Sequence, residues 1–265
     1  MSSTADPPRD SVVPALSRVE GWQLVSHPIF LVGVAIAVLG CAAFVRTIVV
    51  GTAISWDEDG WTAAVGVLMM GILTMVATNL AALRDRRSVT TEQHASLPVR
   101  PPIRTSGLLT AALWPTCVAA LLLASVVGIG ATQDLAPSGV EVVQLVGFVV
   151  SVLLLGAIGI ALAAWVPNPF VATVVAWALL FVTPGETPAA WQSLIPWQTL
   201  GATGLAAWHL AYLCGLTVVV ALLALAKTSR PRVIVAPMVV SIAVVVASAA
   251  VLLNGVCPAE GVCRF

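Results

Sequence analysis

Hydrophobic residues fall along this chain in long, nearly unbroken runs separated by short polar breaks, without the alternation expected of a soluble domain. A helix needs roughly 20 apolar residues to cross about 30 Å of hydrocarbon. Runs of that order lie at 29–50, 61–83, 106–129, 140–166, 205–226 and 233–253, with a shorter one at 170–183. The short run holds 14 residues, which as a helix rise only about 21 Å. It would need to borrow residues across Pro167-Asn168-Pro169 or be completed by neighbouring chain. The pattern therefore predicts an all-α integral membrane protein of about seven transmembrane helices.

Three segments fit neither a span nor a simple loop. From Ala15 to Pro28, Ala15, Val19, Trp22 and Val25 recur at helical spacing while Arg18, Glu20, Gln23 and Ser26 face elsewhere. This predicts an amphipathic helix lying on the inner leaflet; the plainer alternative is a soluble helix leading into the first span. Pro28 ends that helix or bends it into the span. The polar loop 84–105 carries Thr90, Thr91, Glu92, Gln93, His94 and Leu97, opening with a Thr-x-x-Gln arrangement that can cap a short helix. Pro98 limits that helix, and Pro101-Pro102 stiffens the return to the membrane. The stretch 184–204, with Trp191, Pro196 and Trp197, is too apolar for a free loop and too broken to cross. A re-entrant or interface-lying hairpin with Pro196 at its tip satisfies both limits, because irregular backbone at membrane depth must be buried or line a cavity.

Composition agrees: 59% of the 265 residues are hydrophobic and 9% charged, against roughly a quarter charged in soluble domains. Net charge is zero, which gives no argument for nucleic acid as a partner. Lys and Arg are enriched in cytoplasmic loops. With the N-terminus inside, Arg9, Arg18, Arg84, Arg86, Arg87, Arg100, Arg104, Lys227, Arg230 and Arg232 lie inside, and only Arg46 and Arg264 outside. Asp57, Glu58, Asp59, Asp134, Glu186 and Glu260 then collect outside, with Trp56, Trp61, Trp191, Trp197 and Trp208 near the outer interface. An odd number of spans leaves the C-terminus extracellular.

Cys41, Cys117 and Cys214 lie within apolar runs, whereas Cys257 and Cys263 flank a polar loop in the outer tail. Outside the membrane a disulfide between the last two can persist; the alternative is two free thiols. No histidine is near to complete a metal site with them.

Catalytic patterns are absent. Lys227 is the only lysine and follows no glycine-rich loop, so the chain carries no phosphate-binding loop of its own. Its position at a membrane border also excludes a retinal Schiff base within a span. His27, His94 and His209 are separated and lack acidic partners, so each is expected at a surface or interface rather than in catalysis. Polar residues within the spans are few and uncharged: Thr74, Thr78, Asn79, Gln144, Thr173, Thr217, Ser241 and Ser248. Arg46 and Glu141 lie near outer ends and can snorkel, and Asn79 is expected to bond a neighbouring helix.

In its order of features the chain resembles the permease subunits of type-2 ABC transporters, particularly short actinobacterial ones. The resemblance rests on a surface helix ending in Ser26-His27-Pro28-Ile29-Phe30, on Arg84-Asp85-Arg86-Arg87 followed by Ser96-Leu97-Pro98-Val99-Arg100, on the broken outer hairpin, and on Trp208-His209-Leu210-Ala211-Tyr212 opening the next span. It covers about residues 15–230, which gives a cytoplasmic N-terminal segment at 1–28, a six-helix permease-like domain at 29–230 and an additional transmembrane helix with a short outer tail at 231–265.

The resemblance implies a non-catalytic, pore-forming subunit in the bacterial cytoplasmic membrane. Its partners would be an ATP-binding ABC subunit and a second permease, identical or different, with ATP and Mg held by the ATPase. Thr90–Leu97 would be the coupling helix, and the hairpin around Trp191–Trp197 would close the outer side of the path. An apolar or amphipathic substrate moving outward is the expected cargo. The additional span departs from the family, whose permeases usually end inside after six. A non-transport anchoring or assembly subunit is the alternative, supported by the scarcity of polar residues suited to a substrate path.

Overall fold

The computed structural model describes residues 12–52, 56, 60–87, 101–181, 194–195, 203–229 and 231–256. Among them the backbone forms nine helices and no strand. They are α1 (Val12–Val25), α2 (Pro28–Val50), α3 (Trp61–Arg87), α4 (Pro101–Ala111), α5 (Leu113–Ala131), α6 (Gly139–Trp165), α7 (Pro169–Phe181), α8 (Thr203–Ala226) and α9 (Pro231–Val256). Hydrocarbon offers no partner for a free N–H or C=O, and a helix satisfies both within its own segment. Six helical stretches are long and apolar enough to cross a membrane: Pro28–Val50, Trp61–Arg84, Pro101–Ala131, Gly139–Trp165, Leu205–Ala226 and Val233–Asn254.

The helix ends show how local sequence sets these boundaries. Before α2, His27 is extended, its Nδ1 accepts the Ile29 N–H at 3.3 Å, and Pro28 occupies the first turn, where a missing N–H costs nothing. The helix ends at Gly51, whose φ of 72° is open to glycine, and the Gly51 N–H donates to Ile48 O. Ser138 and Glu141 form a reciprocal capping box at the start of α6.

Two boundaries differ from the sequence expectation. The third span begins at Pro101 rather than near Ser106, because both prolines of Pro101-Pro102 fall in the first turn of α4, where proline is tolerated. The same stretch breaks at Ala112 into α4 and α5; Pro115 lacks an N–H, and its ring would crowd the carbonyl four residues earlier in a continuous helix. The short run at 170–183 becomes α7, whose 13 residues rise about 20 Å.

The spans pack side by side in the order α2, α3, α6, α8, α9, while α4 and α5 lie across α2, α3, α6 and α8, and α7 packs against α3 and α6. The centre is α3, with 78% of its apolar stretch buried, whereas α9 is 17% buried and packs chiefly on α8. Lipid is as apolar as leucine, so helices associate through close backbone approach and interhelical hydrogen bonds. Both devices are present at the centre. A β-carbon on Gly40 would come within 2.9 Å of Thr62 O, and one on Gly71 within 2.9 Å of the Leu155 side chain.

Across the α3–α6 contact, Thr78 Oγ1 donates to Gly156 O and Asn79 Nδ2 to Gly159 O, each at 3.1 Å. Asn79 thus bonds a neighbouring helix, as its position in the span suggested. A β-carbon on Gly159 would overlap the Met75 carbonyl and the Thr78 hydroxyl. Gly159→Ala is therefore expected to destabilise the protein by about 1–3 kcal/mol through overpacking. Gly128→Ala, facing open space, should leave stability unchanged or slightly raised. Thermal denaturation of the two variants in detergent checks this, and equal melting temperatures would refute the close-approach account.

Candidate functional site

Polar chemistry gathers at one end of the bundle, where α1 meets the last turns of α3 and the first turns of α4. Two small residues let α1 settle there. Gly107 of α4 receives the Leu16 side chain, and Gly21 of α1 lies under the indole of Trp114. The inward face of α1 therefore carries Leu16, Ser17, Glu20, Gly21 and Leu24. Its Ala15, Val19 and Trp22 point outward, Trp22 being 75% exposed.

This orientation is inverted relative to a helix on a soluble domain. Of the expected apolar stripe, Ala15, Val19 and Trp22 face away from the protein and Val25 packs against the core, while the expected polar position Glu20 is buried. An outward apolar stripe with a tryptophan suits the headgroup boundary of a bilayer. The inward carboxylate needs a partner, since an unpaired buried charge is costly. Arg84, at the end of α3, supplies it: Arg84 Nη2 lies 3.5 Å from Glu20 Oε2, with the Glu20 side chain 8% exposed and that of Arg84 51%. The same guanidinium donates to Gln23 Oε1. Arg104, on α4, lies within electrostatic reach of both Glu20 and Arg84.

One carboxylate thus ties the surface helix to the end of α3, with Arg104 of the next span within its field. Sequence reasoning placed Glu20 on a polar face and gave it no role. The available signal was its i, i+4 spacing with Leu16 and Leu24, a second stripe that competes with the one through Trp22.

His27 borders this junction. Its imidazole is held below the ordinary histidine value of 6.5, first by burial and then by the nearby Arg84 charge. Farther round the same end, Trp165 Nε1 donates to Leu223 O at 2.9 Å and Lys227 Nζ sits 5.1 Å from the centre of the Trp165 ring. Arg84, Arg104 and Lys227 accordingly share one end of the bundle. The opposite end holds Trp56, whose Nε1 donates to Leu135 O at 2.9 Å, packed edge-on against Phe44 at 4.9 Å. Trp61 meets Phe148 there, at 5.8 Å.

His209 departs from expectation: it is buried within α8, 6.1 Å from the ring of Tyr212, rather than at a surface. The loop candidates Thr90, Thr91, Glu92, Gln93, His94 and Leu97 lie outside the described residues, as do Trp191, Pro196 and Trp197 of the hairpin and the pair Cys257 and Cys263. From the hairpin segment Ile195 is described, buried against the main apolar cluster. No protein-family model, curated protein or solved structure matches this chain.

The cap at His27 yields a pH prediction. Neutral Nδ1 accepts the Ile29 N–H; the protonated ring cannot accept it there. Because burial and Arg84 depress the folded-state value, the unfolded chain takes up the proton first as pH falls below 6.5. This contribution to stability is then present above 6.5 and declines as pH falls toward the folded-state value. Melting temperature should drop on acidification more steeply in the wild type than in His27→Asn, which can still cap without titrating. Parallel pH profiles for the two proteins would rule this out.

Proposed function

We propose that the chain is the membrane-spanning permease subunit of an ABC exporter, driven by a separate ATPase and moving an amphipathic or apolar substrate outward. The observation that supports it is the Glu20–Arg84 tie. Segment 88–100 joins the end of α3 to the start of α4. Both ends of that segment meet α1, Arg84 through Glu20 and α4 through the Leu16–Gly107 contact. A push delivered to the segment by a cytosolic motor would be shared among α1, α3 and α4 rather than dissipated in one helix. The arginine-rich end is then cytoplasmic, the N-terminus lies inside, and the chain itself hydrolyses nothing. With α7 completed by the residues that follow it, the spans number seven and the C-terminus is extracellular. The hairpin around Trp191–Trp197 then closes the outer side.

Non-transport anchoring is favoured by a different observation. Thr74, Thr78 and Ser151, all buried, donate to backbone carbonyls, and the Asn79 amide does the same. These groups serve helix packing rather than a polar path.

The two readings part on one preparation: purify the chain together with any ATPase subunit encoded beside it, and measure ATP-driven transport in vesicles. Transport requires stable co-purification, and deletion of 90–97 should abolish ATP-driven movement while the chain still inserts. Glu20→Gln should keep ATPase binding and reduce transport several-fold, because it severs the tie without touching the loop. Intact transport after the deletion, or failure of any ATPase to bind, defeats the transporter reading in favour of the anchor. Labelling of Ser88→Cys, in a chain whose native cysteines are replaced by serine or alanine, by an impermeant maleimide from outside intact cells would defeat it as well.

A further inference from the structure

Beside the charged junction, a cavity of about 160 Å³ opens at the end of the bundle that carries Arg84, Arg104 and Lys227. Four parts of the chain enclose it: Ala82 of α3, Pro101 to Leu108 of α4, Ile160, Ala163 and Ala164 of α6, and Thr228 just beyond α8. It far exceeds the roughly 10–15 Å³ that admits a single water.

Its lining is divided. Arg104, Thr105 and Thr228 form a polar side, with Thr228 Oγ1 3.5 Å from Thr105 Oγ1. Leu108, Ile160, Ala163 and Ala164 form an apolar side. Thr105 Oγ1 donates to Pro101 O and Thr228 Oγ1 to Leu225 O, so the guanidinium is the charged donor a phosphoryl oxyanion would meet, and either hydroxyl can rotate to exchange its carbonyl for it. The adjoining apolar wall, at the end of membrane-crossing helices, suits the first carbons of an acyl chain.

The surrounding charge agrees. Arg84 and Lys227 lie at the same end of the bundle but outside the lining, and Glu20 there is paired with Arg84. The ends of α3, α6 and α8 also converge here, and their carbonyls carry partial negative charge. Among the described residues, the lining itself holds one cation, Arg104, and no acidic side chain. Basic pockets between transmembrane helices at the level of the headgroups are where anionic lipids lodge.

We infer that this cavity binds the phosphate of an anionic glycerophospholipid from the adjacent leaflet, with Arg104, Thr105 and Thr228 on the phosphate and Leu108 and Ile160 along the chain. The inference does not rest on the transporter reading, and its test involves neither nucleotide nor transport, so the two can fail separately.

The full chain is purified in neutral detergent, and its melting temperature and bound lipid, counted by native mass spectrometry, are measured with added phosphatidylglycerol, phosphatidylcholine or glycerol 3-phosphate. Phosphatidylglycerol should raise the melting temperature by several degrees and remain bound, with at least a tenfold preference over phosphatidylcholine. Arg104→Gln should lose that preference. Since this variant also alters the junction, Thr228→Val and the cavity-filling Ala164→Leu provide independent readings. Each should keep the basal melting temperature within a degree or two and lose the lipid-dependent rise. An equal response to both lipids, or a preference that survives Thr228→Val and Ala164→Leu, overturns the assignment. An equal rise with glycerol 3-phosphate overturns the lipid as its source.

Discussion

In hydrocarbon a helix has no hydrophobic incentive to leave lipid for another helix, so the order of this bundle depends on how closely backbones can approach. The approach is tightest between α3 and the two helices flanking it. Gly33, Gly40 and Gly66 bring α2 and α3 together, and Gly71, Gly156 and Gly159 do the same for α3 and α6. Close approach then makes polar bonding possible: Thr78 and Asn79 reach the carbonyls of Gly156 and Gly159 because no side chain stands between. A larger residue at either glycine would remove contact area and hydrogen bonds together. The centrality of α3 follows from these small residues rather than from hydrophobicity, in which α9 exceeds it.

The charged junction rests on the same scaffold. Arg84 ends the most buried span, and Arg104 begins the stretch that lies across the others, so a carboxylate placed between them gains partners held by the bundle. The pair is unequal: Glu20 is enclosed while Arg84 stays half in solvent, which limits the ion pair's own worth. Its weight lies in what removal would leave, a buried carboxylate short of donors. This asymmetry explains how α1 can present a tryptophan outward while remaining docked.

Much of this was legible in the sequence. Six of the apolar runs became helices long enough to cross, the surface helix formed, and Asn79 found a partner across a helix contact. What the sequence concealed were relations between distant residues. Glu20 reads as a solvated acid until Arg84, 64 residues later, is placed beside it. Likewise Leu16 and Trp114 look like ordinary apolar residues until Gly107 and Gly21 appear opposite them. The turn at Ala112 had a local cause in Pro115, yet hydropathy alone runs straight through it. His209 was misjudged because a lone histidine in an apolar run carries no mark of whether its ring faces protein or lipid.

The unequal attachment of the helices bears on how the bundle could move. Asn79 Oδ1 is buried with no hydrogen-bond partner even as its amide bonds α6, and an unmet acceptor of this kind costs about 1–3 kcal/mol. A contact carrying that cost is easier to exchange for one in which the oxygen finds a donor, and Ser248 Oγ on α9 carries a cost of the same kind. The junction with α1 touches α2, α3, α4 and α5, whereas α9 meets the bundle chiefly through α8. On the transporter reading, a force entering at Arg84 would pass from α3 through α6 and α8 before it reached α9. That leaves α9 at the side of the bundle, while glycine, threonine and asparagine converge on the α3–α6 contact at its centre.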